Sequence, residues 1–194
     1  MARPVRRRLE PNARRQELVE AAERLLRERG AAVRIDDVIR AADTARGTFY
    51  LYFPTWDDLL EAVRERITAD FDAAYPLPVE TTGPVDWPRV LDWLTAAFMD
   101  FTLELGGLHE AVFHGDFAER RPPRPDQDAI GRLTAIIRAG QEAGAFDVTD
   151  AEPTARLLFA TLHEAVDAVI EGGDRDRHLA AARRILHRAL ARSS

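Results

Sequence analysis

The sequence predicts an all-α protein of about nine helices. Apolar residues recur three and four apart along almost the whole chain. Glycine and proline break that pattern at helix-length intervals. No segment combines two-residue alternation with β-branched enrichment, the signature of a half-buried strand. At 194 residues, 46% hydrophobic and 31% charged, the chain can bury a substantial core and keep a polar surface.

The elements follow in order. Leu18, Ala21, Ala22, Leu25 and Leu26 form one stripe between Pro11-Asn12 and Gly30, which predicts a helix over 12–29. Ile35, Val38, Ile39 and Ala42 form a second stripe, followed by a short segment at Ala45–Tyr50. Between the two, Asp43 is suited to the left-handed backbone that a tight helix-helix turn requires. Thr55 caps a helix whose first turn carries Asp57 and Asp58 on the favourable end of the dipole. Its stripe is Leu59, Leu60, Val63, Ile67 and Phe71. Four prolines and a glycine make 75–88 a loop. A helix resumes at Trp87-Pro88 and ends at Gly106-Gly107. A shorter one covers Leu108 to about Ala118, and Arg120–Pro125 is a loop. Helical spacing returns over Asp126–Ala143. Thr149 or Asp150 caps a helix over 151–171, and the last runs from Asp174 to about Ala191. No internal repeat is present.

Composition removes many chemistries. Cysteine is absent, so disulfides, thiolate metal sites and a Cys nucleophile are excluded. All 27 basic residues are Arg, which excludes a Schiff-base lysine and the P-loop lysine. The only serines are Ser193 and Ser194, and the only asparagine is Asn12. The chain therefore reads as a non-enzyme without a cofactor. No apolar run reaches the roughly 18–20 residues of a membrane span, and the basic N-terminus lacks the apolar region of a signal peptide. A cytoplasmic location is expected. Charge is uneven: residues 1–50 hold 12 Arg against 8 Asp/Glu, net +4, and residues 51–194 hold 15 against 25, net −10. A basic head on an acidic body points to a polyanion at the head alone.

The head has the layout to meet one. Three short helices, a tight turn and the aromatic cluster Phe49, Tyr50, Tyr52 and Phe53 outline a helix-turn-helix. Its last helix would enter a DNA major groove with Thr44, Ala45, Arg46, Thr48 and Tyr50. Arg46 suits guanine, and Thr48 suits base or phosphate. Gly47 leaves room for close approach. Tyr50 and Tyr52 offer hydroxyls to phosphates. Phe49 and Phe53 read instead as packing residues. Arg3, Arg6, Arg7, Arg8, Arg14 and Arg15 form a basic arm, suited to phosphates or a minor groove. The plainer role for such an arm is a solvated tail.

The stretch RRQELVEAAERLLRERG, followed by IDDVIRAADTARGTFYLYFPTWDDLLEAV, resembles the DNA-binding domain of TetR-family transcriptional regulators. The block GTFYLYF followed by an acidic DLL helix is its most specific part, and the close resemblance covers about residues 14–64. It implies an N-terminal three-helix domain over 1–54. It also implies a helical effector-binding and dimerisation domain over 55–194, with 55–74 as the connecting helix. By position, Thr44, Ala45, Arg46, Thr48 and Tyr50 fall on the family's DNA-contacting segment. Several positions depart from its pattern. Asp43 replaces a glycine, Ala45 a serine, Ile39 an alanine, and Arg34 a threonine cap. Trp56 stands where a phosphate-contacting lysine is common, and Arg34 with Arg6 and Arg7 of the arm offers substitute charge.

One helix-turn-helix covers too little DNA for tight, specific binding, so a homodimer on a palindromic operator is expected. Leu158, Leu162 and Val169, with Leu179, Ile185 and Leu186, are the candidate interface of a four-helix bundle. The same stripes suit the chain's own core. Residues 87–117 are aromatic-rich, which with the family resemblance suggests a pocket for a small, mostly apolar effector. Trp93, Phe98, Phe101 and Phe113 are its candidate walls, and His109 and His114 its polar groups. No metal is expected: His109 and His114 lie five apart and diverge by about 140° around a helix. The resulting expectation is a DNA-binding regulator, a repressor released by its ligand. The alternative is a helical small-molecule-binding protein or lyase-like enzyme with a vestigial head.

Overall fold

The computed structural model describes residues 11–76, 85–121 and 129–191. Among these residues there are ten α-helices and one 3-10 turn, and no strand. The helices are α1 (Pro11–Arg29), α2 (Ile35–Ala41), α3 (Arg46–Tyr52), α4 (Trp56–Ala74), α5 (Trp87–Leu105), α6 (Gly107–Phe113), α7 (Gly115–Arg120), α8 (Ala129–Glu142), α9 (Ala151–Ile170) and α10 (Arg175–Leu190). The turn is Gly30–Ala32. The all-α class stands. One expected helix, Leu108 to Ala118, is divided: His114 is extended (φ −125°, ψ 174°) and ends α6 before α7 begins. No described helix is long and apolar enough to cross a membrane.

The chain forms two compact units. The first holds the described residues up to Ile67 together with Gly106–Arg121. The second holds Thr68–Leu105 and the described residues from 129 onward. This differs from a division at 54/55. Residues 55–67 and 106–121 pack with the head because α6 lies on α1 and α7 is tied to the start of α4.

In the first unit Leu18, Ala22 and Leu26 of α1, Val38 of α2 and Phe49 of α3 are fully buried, as are Phe53, Leu59 and Val63. Asp43 does adopt the left-handed turn (φ 45°), and Thr44 N–H donates to Ile39 O at 3.1 Å, closing α2 toward α3. Thr55 and Asp58 form a reciprocal cap on α4. Thr55 Oγ1 accepts from the Asp58 N–H at 3.1 Å, and the Asp58 carboxylate accepts from the Thr55 N–H at 2.9 Å. Arg120 donates twice to the Asp57 carboxylate, at 2.8 and 2.9 Å, and Arg121 donates to Asp58 at 2.7 Å. The buried Arg64 donates to the Arg121 carbonyl at 2.7 Å and stacks over Phe117. These contacts fasten α7 to α4. Gly107 allows α6 to touch the end of α1: a Cβ there would lie 2.9 Å from Gly30 N and 3.0 Å from Leu26 O.

In the second unit α5, α8, α9 and α10 pack around Leu91, Leu94, Met99, Ile137, Leu158, Val166 and Leu186. Asp150 and Asp174 cap α9 and α10 by accepting from the Glu152 and Arg177 N–H groups. His187 Nε2 lies 2.8 Å from the Asp92 carboxylate, and Arg183 donates to Asp92 O at 2.9 Å, joining α10 to α5.

Candidate nucleic-acid interface

Helix α3 has seven residues, and one of them fixes its orientation. Phe49 is fully buried, so the helix turns its opposite side outward. At about 100° per residue, Gly47 and Leu51 lie opposite Phe49, with Arg46 and Tyr50 on one flank. All four are exposed, Tyr50 by 41% and Leu51 by 82%. Thr48 and Tyr52, on the other flank, are half-buried. Thr44 is half-buried in the turn, and Ala45 is the exposed N-cap of α3, with no side-chain acceptor for the helix N–H groups.

Gly47 has no role in the fold. Its backbone is helical, and an added Cβ would meet nothing within 4 Å. Glycine inside a helix costs about 1 kcal/mol relative to alanine. The internal packing does not require this glycine, whereas a surface approached closely from outside does.

Arg46 pairs with Asp36. Its Nη1 lies 3.2 Å from the Asp36 carboxylate. A hydrogen bond with Tyr50, followed by the charge of Asp36, raises its pKa further above the ordinary arginine value. Arg34 is exposed at the N-cap of α2. Its backbone N–H donates to Asp37 at 3.0 Å, and its guanidinium donates to Ala31 O and Val33 O. A guanidinium has no acceptor, so the other half of the capping box is missing. The threonine expected there would supply it.

The basic arm is only partly described. Arg3, Arg6, Arg7 and Arg8 lie outside the described residues. Arg14 and Arg15 belong to α1 itself: Arg14 pairs with Glu17 at 2.6 Å, and Arg15 stacks over Phe53. Both are fixed to the head, not to a free arm. Trp56 is half-buried at the start of α4.

Leu51 was not among the expected contact residues. Phe49 and Phe53 on either side of it suggest packing. The available signal is its position two residues from the buried Phe49, on the far side of a helix too short to bury two faces.

The expected effector residues divide between the two units. Trp93, Phe98 and Phe101 belong to the second, where they join Phe71 and Tyr75 in a layer of rings. His109, Phe113 and His114 belong to the first, on or next to α6. There the His109 and His114 rings lie 4.7 Å apart. Burial, then the neighbouring His114, pushes the His109 pKa down to about 4, so it is neutral at pH 7. The second unit contains a small, mostly apolar recess lined by Phe71, Leu94, Phe98, Arg132, Phe159 and Leu162. Of the six expected residues, Phe98 lines it. Phe159 escaped notice because α9 reads most strongly as an interface helix. Arg132 stacks over Phe71 and donates to Tyr75 O and to Asp72.

The residues of the expected dimer stripe differ in exposure. Leu158, Leu162, Leu179 and Leu186 are buried in the second unit's own core, and Val169 is half-buried against it. Ile185 alone of the six is exposed, at 48%. The strongest apolar stripe of a helix is the one its own core uses. Beside it, one residue off, lie Leu157 on α9 and Ile185 on α10, with Ile170 exposed at the end of α9.

Residues 18–63 match the family described as bacterial regulatory proteins, tetR family. That segment holds most of α1, all of α2 and α3, and the start of α4. The HTH-type transcriptional regulator EthR of Mycobacterium tuberculosis is 33% identical over 104 residues, 53% of this chain and 46% of EthR. The chain thus spans about half the length of the curated relatives it matches. Among solved structures, RolR in complex with resorcinol superposes with a TM-score of 0.69 at 23% identity, covering 90% of this chain and 88% of RolR. The fatty acid degradation regulator FadR from Bacillus halodurans gives 0.69 at 19% identity, covering 89% and 94%. Residues 18–63 thus resemble the tetR-family segment, and the described helices share the fold of these solved structures.

Proposed function

We propose that the chain is a homodimeric, sequence-specific DNA-binding transcriptional regulator, a repressor released from a palindromic operator by a small, mostly apolar ligand. The outward face of α3 carries this reading. It presents an arginine, a glycine with no internal purpose, a tyrosine and a leucine on a helix anchored from behind by Phe49. Those are the parts a reading helix needs: a donor fork for guanine, room for a phosphate backbone, a hydroxyl for phosphate and an apolar group for a thymine methyl. Thr44, Ala45, Thr48 and Tyr52 border this face, and Arg34, Arg6 and Arg7 supply charge toward phosphates.

A second copy would meet Leu157, Ile170 and Ile185, the apolar side chains that α9 and α10 leave exposed. The effector would occupy the cleft beside Phe98 and Phe159, where apolar walls surround one cationic group. The fold neighbour RolR holds resorcinol, a small aromatic molecule, which supports a ligand of that size. By linkage, a ligand that weakens DNA binding is itself weakened by DNA to the same factor.

The test is selection of duplexes by the full chain from a random pool. Enrichment of one palindromic motif is expected. Recovery of unenriched duplexes would remove the reading and leave a ligand-binding helical protein.

A further inference from the structure

We propose that Asp36 determines the specificity of the α3 surface by orienting the Arg46 guanidinium toward a guanine edge and withholding it from bare phosphate. This rests on the DNA-binding reading above.

Asp36 and Asp37 are neighbours in the first turn of α2, but they do different work. Asp37 faces the helix end: it accepts from the Arg34 N–H and pairs with Arg29 and Arg40. Asp36 faces across to α3 and pairs with Arg46. Both members of that pair are more than half exposed, at 62% and 63% of their side chains. Such pairs contribute little to stability. The pair with Arg46 therefore adds little to the fold, and a carboxylate facing a polyanion weakens non-specific binding.

The geometry supplies a reason to keep it. A guanidinium carries five N–H donors in a rigid plane. Asp36 lies 3.2 Å from one amino group of that plane, and Tyr50 stands one turn further along α3. The remaining donors suit N7 and O6 of guanine, two acceptors on a neutral base edge. A side chain held in place before binding loses less rotamer freedom on contact. A phosphate reaching for the same donors meets the Asp36 charge. A guanine edge does not carry that penalty. The simpler role for Asp36 is a favourable charge at the start of α2, and the test separates the two.

Duplexes enriched by the full-length wild type and a scrambled duplex of equal composition serve as probes. Binding is measured by fluorescence anisotropy for wild type, Asp36→Asn, Arg46→Ala, the double variant and Asp36→Glu. Thermal melting checks that each variant folds. Asp36→Asn is expected to tighten binding to the scrambled duplex by about 3- to 10-fold. The ratio of selected to scrambled affinity should fall by about 10-fold. In the Arg46→Ala background the same substitution should leave that ratio unchanged, and Asp36→Glu should restore most of it. Equal tightening on both duplexes, or the same effect without Arg46, would overturn the inference and leave a charge acting at long range or on α2 alone. Should the wild type enrich no sequence, the DNA-binding reading fails and takes this inference with it. Should it enrich one while Asp36→Asn keeps the wild-type ratio, the inference fails alone.

Discussion

The rings of Phe49 and Tyr50 meet edge to face with centroids 5.3 Å apart, one fully buried and the other 41% exposed. Adjacent residues of one short helix thus join the core of the head to its outer surface. Phe49→Ala should destabilise the first unit by about 3–5 kcal/mol and abolish DNA binding by releasing α3. Tyr50→Phe removes only a hydroxyl, so melting should hold within about 0.5 kcal/mol. DNA affinity should still drop. Chemical denaturation beside anisotropy distinguishes the two effects.

Gly47 and Gly107 respond in opposite ways to the same change. A methyl group at 47 meets nothing, so Gly47→Ala should stabilise the chain by about 0.5–1 kcal/mol. It should also weaken DNA binding by standing between α3 and the nucleic acid. A methyl group at 107 lies 3.0 Å or less from the backbone of Gly30. Gly107→Ala should destabilise by about 1–3 kcal/mol through overpacking. Urea unfolding of both variants checks the pair. A destabilised Gly47→Ala protein would contradict the open surface.

His109 makes stability depend on pH. Its folded pKa is pushed down to about 4, against an ordinary value of 6.5. The folded state resists protonation while the unfolded state accepts it. The His109 contribution is therefore constant above pH 6.5 and is lost as pH falls from 6.5 toward 4, by up to about 3 kcal/mol. Asp57 and Asp58 are held below the usual carboxylate range, Asp57 chiefly by Arg120 and Asp58 chiefly by Thr55 and then Arg121. Their loss comes at lower pH, as they protonate. Urea midpoints of wild type and His109→Gln between pH 7 and 4.5 should converge only if His109 carries this slope.

Leu157, Ile170 and Ile185 provide a test of assembly. Replacing all three by Asp should give a monomer with near-native helicity, because none is sealed in the second unit's core. Sedimentation velocity and circular dichroism read the two properties separately. Leu162→Asp should instead unfold the second unit, since Leu162 is buried there.

Much of this was legible from residue order. The 3-4 spacing marks the long helices, and Asp43 and Thr55 reveal their turn and cap because both depend on local chemistry alone. The division of Leu108–Ala118 was signalled only by Gly115, next to the extended His114. The exposed apolar residues of α9 and α10 could not be separated from core residues by periodicity. Leu157 and Leu158 differ by one position, and which faces inward depends on the packing of α5 and α8. The cleft was hidden for the same reason, since Phe98, Phe159 and Arg132 come from three distant segments. Arg46 and Tyr50 were legible in a short reading helix, whereas Asp36 and Leu51 required the orientation of α3.

The central claim is that the exposed face of α3 reads DNA sequence through Arg46. The most direct measurement is anisotropy of full-length wild type and Arg46→Ala on selected and scrambled duplexes at two salt concentrations. The account predicts that wild type prefers the selected duplex by at least about 1,000-fold, with affinity falling as salt rises. It predicts that Arg46→Ala loses about 10- to 100-fold of that preference while keeping most of its salt dependence. Equal affinity for both duplexes, or an Arg46→Ala protein as selective as wild type, would contradict it.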